Sequence, residues 1–218
     1  MRKASTRALY DYWNTLRGSR SAPDRRDIDP TRIRSALANT FILESNDATE
    51  FTFRLAGSHL CSAYCRELKG RSFNKLWQQK DRDAIETLIR AVTEDHAAAV
   101  VNLQGSTPQG GTANFELMLL PLRHNGSTTA RMIGSMTAFE EPYWFGMHPV
   151  MEQRITGLRL IWPDEIGAPD VDSINAAELH DLAAGADVDP VAIPVKVQGI
   201  SARRYQHLAV IDGGKARN

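Results

Sequence analysis

Between Ala99 and Phe139 three extended runs follow one another with only turn-rich connections between them: Ala99 to Gln104, Ala113 to Leu122 and Arg131 to Phe139. The first connection, Gly105 to Gly111, is glycine-rich. The second, His124-Asn125-Gly126-Ser127, contains Asn-Gly, the strongest short hairpin signal. The three runs are therefore expected to be consecutive antiparallel strands. In the last of them Met132, Gly134, Met136 and Ala138 share one face, and Ile133, Ser135, Thr137 and Phe139 the other. The wholly apolar first face is expected to look into a core. Gly134 removes a side chain from mid-strand, at a place where something comes close.

Upstream, Phe41-Ile42-Leu43 reads as a buried strand. Phe51, Phe53 and Leu55 alternate with Thr52, Arg54 and Ala56 until Gly57 stops the run, and Asn46 and Asp47 supply the turn between the two strands. Ser58 to Trp77 is helical but broken at Gly70, giving two or three short helices. Asp83 and Glu86 have capping-box spacing ahead of Ile85, Leu88, Ile89 and Val92, which predicts the longest helix from about Asp83 to Asp95. This order predicts an α+β fold: a five-stranded antiparallel sheet with helices gathered on one face. The opposite face needs its own cover. Ser5 is placed to cap a first helix whose Leu9, Tyr12, Trp13 and Leu16 recur at helical spacing before Gly18. These four residues are the candidates to cover the sheet, from the same chain or from a second subunit in a homodimer. A loop, Ser19 to Pro30, and a short helix from Pro30 to Leu37 connect this helix to the first strand.

The charge balance excludes some functions. Lys plus Arg equals Asp plus Glu at 26 each, so no net field draws the chain to nucleic acid or an anionic membrane. The distribution is uneven: residues 1–34 carry nine Lys/Arg against four Asp/Glu, whereas residues 164–189 carry eight acids and no base. The arginines of the first loop are interleaved with Asp24, Asp27 and Asp29, and Arg–Asp pairing that holds the loop's shape is preferred over phosphate binding. Two cysteines make no disulfide framework, and no run is apolar enough to span a membrane or serve as a leader, so a reduced cytoplasmic protein is expected.

The wording of the chain resembles one family. Tyr12-Trp13, Leu16-Arg17, Ala22-Pro23, Arg25, Asp27-Ile28-Asp29-Pro30 and Ile33-Arg34, followed by Phe53-Arg54-Leu55-Ala56-Gly57 and Glu67-Leu68-Lys69-Gly70-Arg71-Ser72-Phe73, resemble the stand-alone PAS proteins of the PAS_5 (DUF1457) family of alphaproteobacteria. The resemblance spans about residues 8 to 145. It implies a PAS core at 41–145, preceded by a helix and basic loop at 1–40 and followed by an apolar packing segment at 146–163. An acidic then basic flexible tail is expected at 164–218. It also implies a sensory or regulatory module without an attached effector.

The cofactors of PAS relatives can be tested at single residues. Heme-binding relatives ligate iron through a histidine on the long helix; here the nearest, His96, stands at or beyond the helix end, and heme is disfavoured. Flavin photoreceptors carry a reactive cysteine after a Gly-Arg pair. Gly70-Arg71 is followed here by Ser72, and a covalent flavin adduct is disfavoured. Cys61 and Cys65 stand four apart, in reach of a shared metal or disulfide, but core packing is the preferred reading. Glu140-Glu141 precede Pro142 at a strand end and read as an exposed turn. No catalytic motif is present, and the chain is read as a non-enzyme.

What remains is an apolar pocket. Tyr64, Phe73 and Trp77 from the short helices, Ile85, Leu88, Ile89 and Val92 from the long one, and Phe115, Leu117, Met132 and Met136 from the sheet either fill the interior or surround a small apolar ligand. The expected function is regulation through contact with other regulatory proteins, with a ligand receptor as the alternative and a nucleic-acid binder more remote.

Overall fold

A computed structural model describes residues 1–47, 50–124 and 126–162. Among these described residues six strands form one antiparallel sheet: β1 Thr40–Asp47, β2 Glu50–Ala56, β3 Ala98–Ser106, β4 Thr112–His124, β5 Ser127–Ala138 and β6 Glu152–Ile161, in the spatial order β2-β1-β5-β4-β3-β6. Three α-helices accompany them: α1 Ala4–Arg17, α2 Ser58–Ala63 and α3 Arg82–Thr93. The expectation of five strands is corrected to six. The extra strand lies in the stretch read as a packing segment and pairs with β3 along its whole length, from Ala98 opposite Ile161 to Ser106 opposite Glu152.

The sheet separates two apolar layers. On its inner face the connection between β2 and β3 supplies α2, two 3-10 turns at Asn74–Leu76 and Gln79–Asp81, and α3. Ile85, Leu88, Ile89 and Val92 of α3 are all buried there with Leu117, Met132 and Met136. Burying a side chain of that size contributes about 1.5–3 kcal/mol, so this stripe outweighs the weak intrinsic stability of a twelve-residue helix. On the outer face α1 lays Leu9 and Trp13, both 0% exposed, against Ile42, Met118, Leu120 and Ile133. The two faces of β5 thus serve two cores.

Helix α1 is fixed to its own chain at both ends. The Arg2 and Lys3 backbone N–H groups donate to the carboxylate of buried Glu116 at 2.7 and 2.9 Å, and Trp13 Nε1 donates to the Pro121 carbonyl at 2.8 Å. Ser5, expected as the cap, lies inside the helix instead, its hydroxyl 2.7 Å from that of Thr137. A carboxylate delivered by β4 satisfies backbone donors that precede the helix, which no local pattern announces. Tyr12 and Leu16 are partly buried at the edge of this layer; the Tyr12 hydroxyl accepts from the Asp29 N–H at 2.7 Å.

Helix α3 was expected to be the longest, but at twelve residues it is shorter than the fourteen of α1, and it starts differently from its expected capping box. Asp81 occupies the position before α3, and Asp83 falls in its first turn. The Asp81 carboxylate, 4% exposed, accepts from the Ile155 N–H of β6 at 2.9 Å. The expected tail at 164–218 lies outside the described residues. Among the described residues no helix is long and apolar enough to cross a membrane.

Candidate functional site

The eleven residues expected to border a pocket are all buried in one cluster on the inner face. The sheet contributes alternate positions of β4 and β5, since a period of two sends Phe115, Leu117, Met132 and Met136 the same way. Tyr64 follows the last turn of α2, where its N–H donates to the Leu60 carbonyl at 3.2 Å. Phe73 and Trp77 flank the first 3-10 turn, their rings edge to face at 5.8 Å. Phe41 and Phe53, which the pocket reading left out, complete the aromatic group: Phe53 meets Phe41 at 5.6 Å and Phe73 at 5.8 Å. Such pairs add about 0.5–1.5 kcal/mol each beyond burial.

A polar centre sits inside this apolar cluster. Tyr64, 2% exposed, donates its hydroxyl hydrogen to Oε1 of Gln153, itself 1% exposed, at 2.6 Å; the Met136 sulfur lies 3.8 Å from the same hydroxyl. Burial pushes the Tyr64 phenol well above its ordinary range, so it serves as a neutral donor rather than an acid or base. Nearby in the chain, the indole Nε1 of Trp77 is buried without a hydrogen-bond partner. An orphaned buried N–H costs about 1–3 kcal/mol, which an acceptor brought beside it would offset. Backbone contacts join the same two segments: Trp77 bridges to Gln153, and the Gln78 N–H donates to the Gln153 carbonyl at 3.0 Å. Gln153 and Asp81 were missed as site residues. The position of Asp81 immediately before α3 was a usable signal; Gln153 offered none, because its strand was not recognised.

None of the residues tested for cofactors belongs to the buried cluster. His96 follows the end of α3 with φ of 59°, outside the buried cluster. Ser72 belongs to a short stretch running along the edge of β2, where the Phe53 N–H donates to the Arg71 carbonyl and the Phe73 N–H to the Phe51 carbonyl. The core-packing expectation for the cysteines is corrected: Cys61 is half-buried, with its sulfur 3.7 Å from a Glu67 carboxylate oxygen, and Cys65 is exposed. Helix α2 ends at Ala63 and Cys65 adopts a positive φ, so no helix carries the four-residue spacing. Among the described residues no three His, Cys, Asp or Glu side chains gather as a metal-ligand set. Glu140 and Glu141 are exposed, beside an open cleft of about 540 Å³.

An antiparallel sheet clasped on its inner face by short helices and one longer helix is the PAS architecture. The chain belongs to the PAS_5 family of PAS domains, whose family model matches residues 1–137. That match takes in α1 as well as the sheet. Among solved structures, the chain is similar to a light-oxygen-voltage domain studied with a flavin analogue, at 18% identity over 52% of this chain and 85% of that one, TM-score 0.41. It is also similar to the PAS domain of an HTR-like protein from Haloarcula marismortui, at 18% identity over 50% of this chain and 90% of that one, TM-score 0.37. No curated protein matches the chain.

Proposed function

We propose that this PAS domain is a non-enzymatic regulatory module that acts by contacting other regulatory proteins. The observation that carries the reading is where its large apolar side chains lie. The pocket candidates are turned inward, whereas Tyr143, Met147 and Met151, at 89%, 62% and 50% exposure, stand in solvent on the connection between β5 and β6. Exposed apolar groups concentrated in one short segment mark a contact surface. Leu9 and Trp13, considered for a homodimer, are spent on their own sheet, so a second copy would meet the exposed connection instead. Crosslinking in the native cell from a photoreactive residue at position 143 tests the reading, compared with a chain carrying Met147→Ser and Met151→Ser. Specific crosslinks to one regulatory protein or to a second copy, lost in the double variant, are expected. Crosslinks absent, or indifferent to the substitutions, would overturn it.

A second reading has its own support. The unpartnered Trp77 N–H, in the same buried cluster as Tyr64, favours a small, mostly apolar ligand carrying one acceptor group. Native mass spectrometry and an absorbance scan of the purified protein decide it: extra mass is expected, and its absence in protein from the native host removes the reading.

A further inference from the structure

The basic loop and the outer face of the sheet meet at a place that the PAS core does not use. All three aspartates of the loop are already engaged. Arg20 Nη1 lies 3.1 Å from Asp24 Oδ2 and 3.1 Å from Asp27 Oδ2, and Asp29 accepts from the backbone and hydroxyl of Thr31 at 2.9 and 2.7 Å. The loop is tied to the end of β4, where the Arg123 N–H donates to the Pro23 carbonyl at 2.9 Å. Arg25 is therefore left without an acid from its own segment. It lines an open cleft of about 410 Å³ with Arg54, Lys69 and Glu44, and Leu55 forms an apolar wall 47% exposed.

Among the described residues Glu44 is the one carboxylate lining this cleft, and it is shared. Arg54 Nη1 lies 3.0 Å from its Oε2, and Arg131, opposite Glu44 on β5, lies 3.6 Å from the same oxygen. Arg25, Arg54 and Lys69 thus line the cleft with one carboxylate, which Arg54 and Arg131 already share. Among the described residues no ion pair ends on the Arg25 guanidinium, and its Nε is buried without a hydrogen-bond partner. Burial first, then the charges of Arg131 and Arg54, lower the Arg25 pKa.

We infer that this cleft binds a small soluble organophosphate, with its phosphate against Arg25, Arg54 and Lys69 and its apolar part on Leu55. Guanidinium groups match phosphate oxygens with paired donors, and a phosphomonoester carries about −1.5 to −2 charge at neutral pH, which suits the local excess of positive charge. The volume falls within the range of about 300–1,000 Å³ usual for small-molecule sites. The site is on the face of the sheet away from the Tyr64 centre and does not depend on the reading proposed above.

Titration calorimetry of the full chain with inorganic pyrophosphate, at fixed ionic strength, tests the inference. Saturable binding is expected. Arg25→Gln weakens it by about tenfold, whereas Glu44→Gln, which removes the competing carboxylate, tightens it by several-fold. Arg90→Gln, on the exposed side of α3, leaves it unchanged. Should Arg25→Gln unfold the protein, the gain from Glu44→Gln still decides. Absence of saturable binding, or an equal loss in the Arg25 and Arg90 variants, overturns the site. Binding to phosphatidylglycerol vesicles without binding to pyrophosphate would also overturn it, by showing that the charges meet a lipid surface.

Discussion

The hydroxyl of Tyr64 and the side-chain amide of Gln153 are joined by a 2.6 Å hydrogen bond across 89 residues of sequence, entirely within the buried cluster. That bond connects the end of α2 to the sixth strand. Replacing Tyr64 by Phe leaves the Gln153 oxygen without its donor and is expected to cost about 1–3 kcal/mol in urea unfolding. The pH dependence has a definite sign. The folded-state pKa of Tyr64 is raised above the ordinary value of about 10, so its contribution is fully present below pH 10 and is lost as pH rises beyond it. Alkaline destabilisation from about pH 10 is expected in the wild type and should be shallower in Tyr64→Phe; identical slopes would contradict the assignment.

Helix α1 belongs to the folding unit because Trp13 fills the outer layer and Glu116 holds the backbone ahead of the helix. Trp13→Ala is expected to cost about 3–5 kcal/mol and Glu116→Ala about 1–3 kcal/mol. Sedimentation should give the same mass for both variants as for the wild type, since these residues are spent within one chain. A change of oligomeric state on Trp13→Ala would show that α1 also joins chains.

Gly134 lets Phe41 cross the sheet closely. A Cβ there would lie 2.4 Å from both the Met118 carbonyl oxygen and a carbon of the Phe41 ring. Because one of these atoms is backbone, Gly134→Ala should destabilise by at least about 1–3 kcal/mol. Adding Phe41→Leu should restore part of the loss and no more, a partial recovery that thermal melts of the single and double variants can measure.

The two thiols should react at different rates. Burial raises the Cys61 pKa, Glu67 adds to it, and the sulfur is only half accessible, whereas Cys65 is exposed. Labelling with iodoacetamide at pH 8, followed by peptide mass mapping, should modify Cys65 well before Cys61. Equal rates would show that the Glu67 contact does not persist in solution.

Local periodicity was enough to reveal most of this architecture. The alternation in β5 assigned Met132 and Met136 to one core and Ile133 to the other, and the helical spacing of Ile85, Leu88, Ile89 and Val92 marked the buried face of α3. Strand β6 escaped because its register shifts against Asn102 and Leu103, leaving Thr156 outside the pairing. Ile155, Leu158 and Leu160 therefore pack on the same core with a spacing of three then two, which matches neither a strand nor a helix. The cysteines misled for a related reason. A four-residue interval implies one face only while the helix lasts, and α2 ends before Cys65.

Residue order was sufficient for the strand-and-helix sequence, the inward faces and the need for a cover over the outer sheet, because each depends on the periods of neighbouring side chains. The partners of isolated polar groups were settled only on folding. Glu116 meets the backbone ahead of α1, Asp81 meets β6, and Arg25 is left among Arg54, Arg131 and Lys69 once the loop's own acids have been taken by Arg20 and Thr31. A buried charge is satisfied by whichever group the packed layers bring within about 3 Å, and sequence separation has no bearing on that distance.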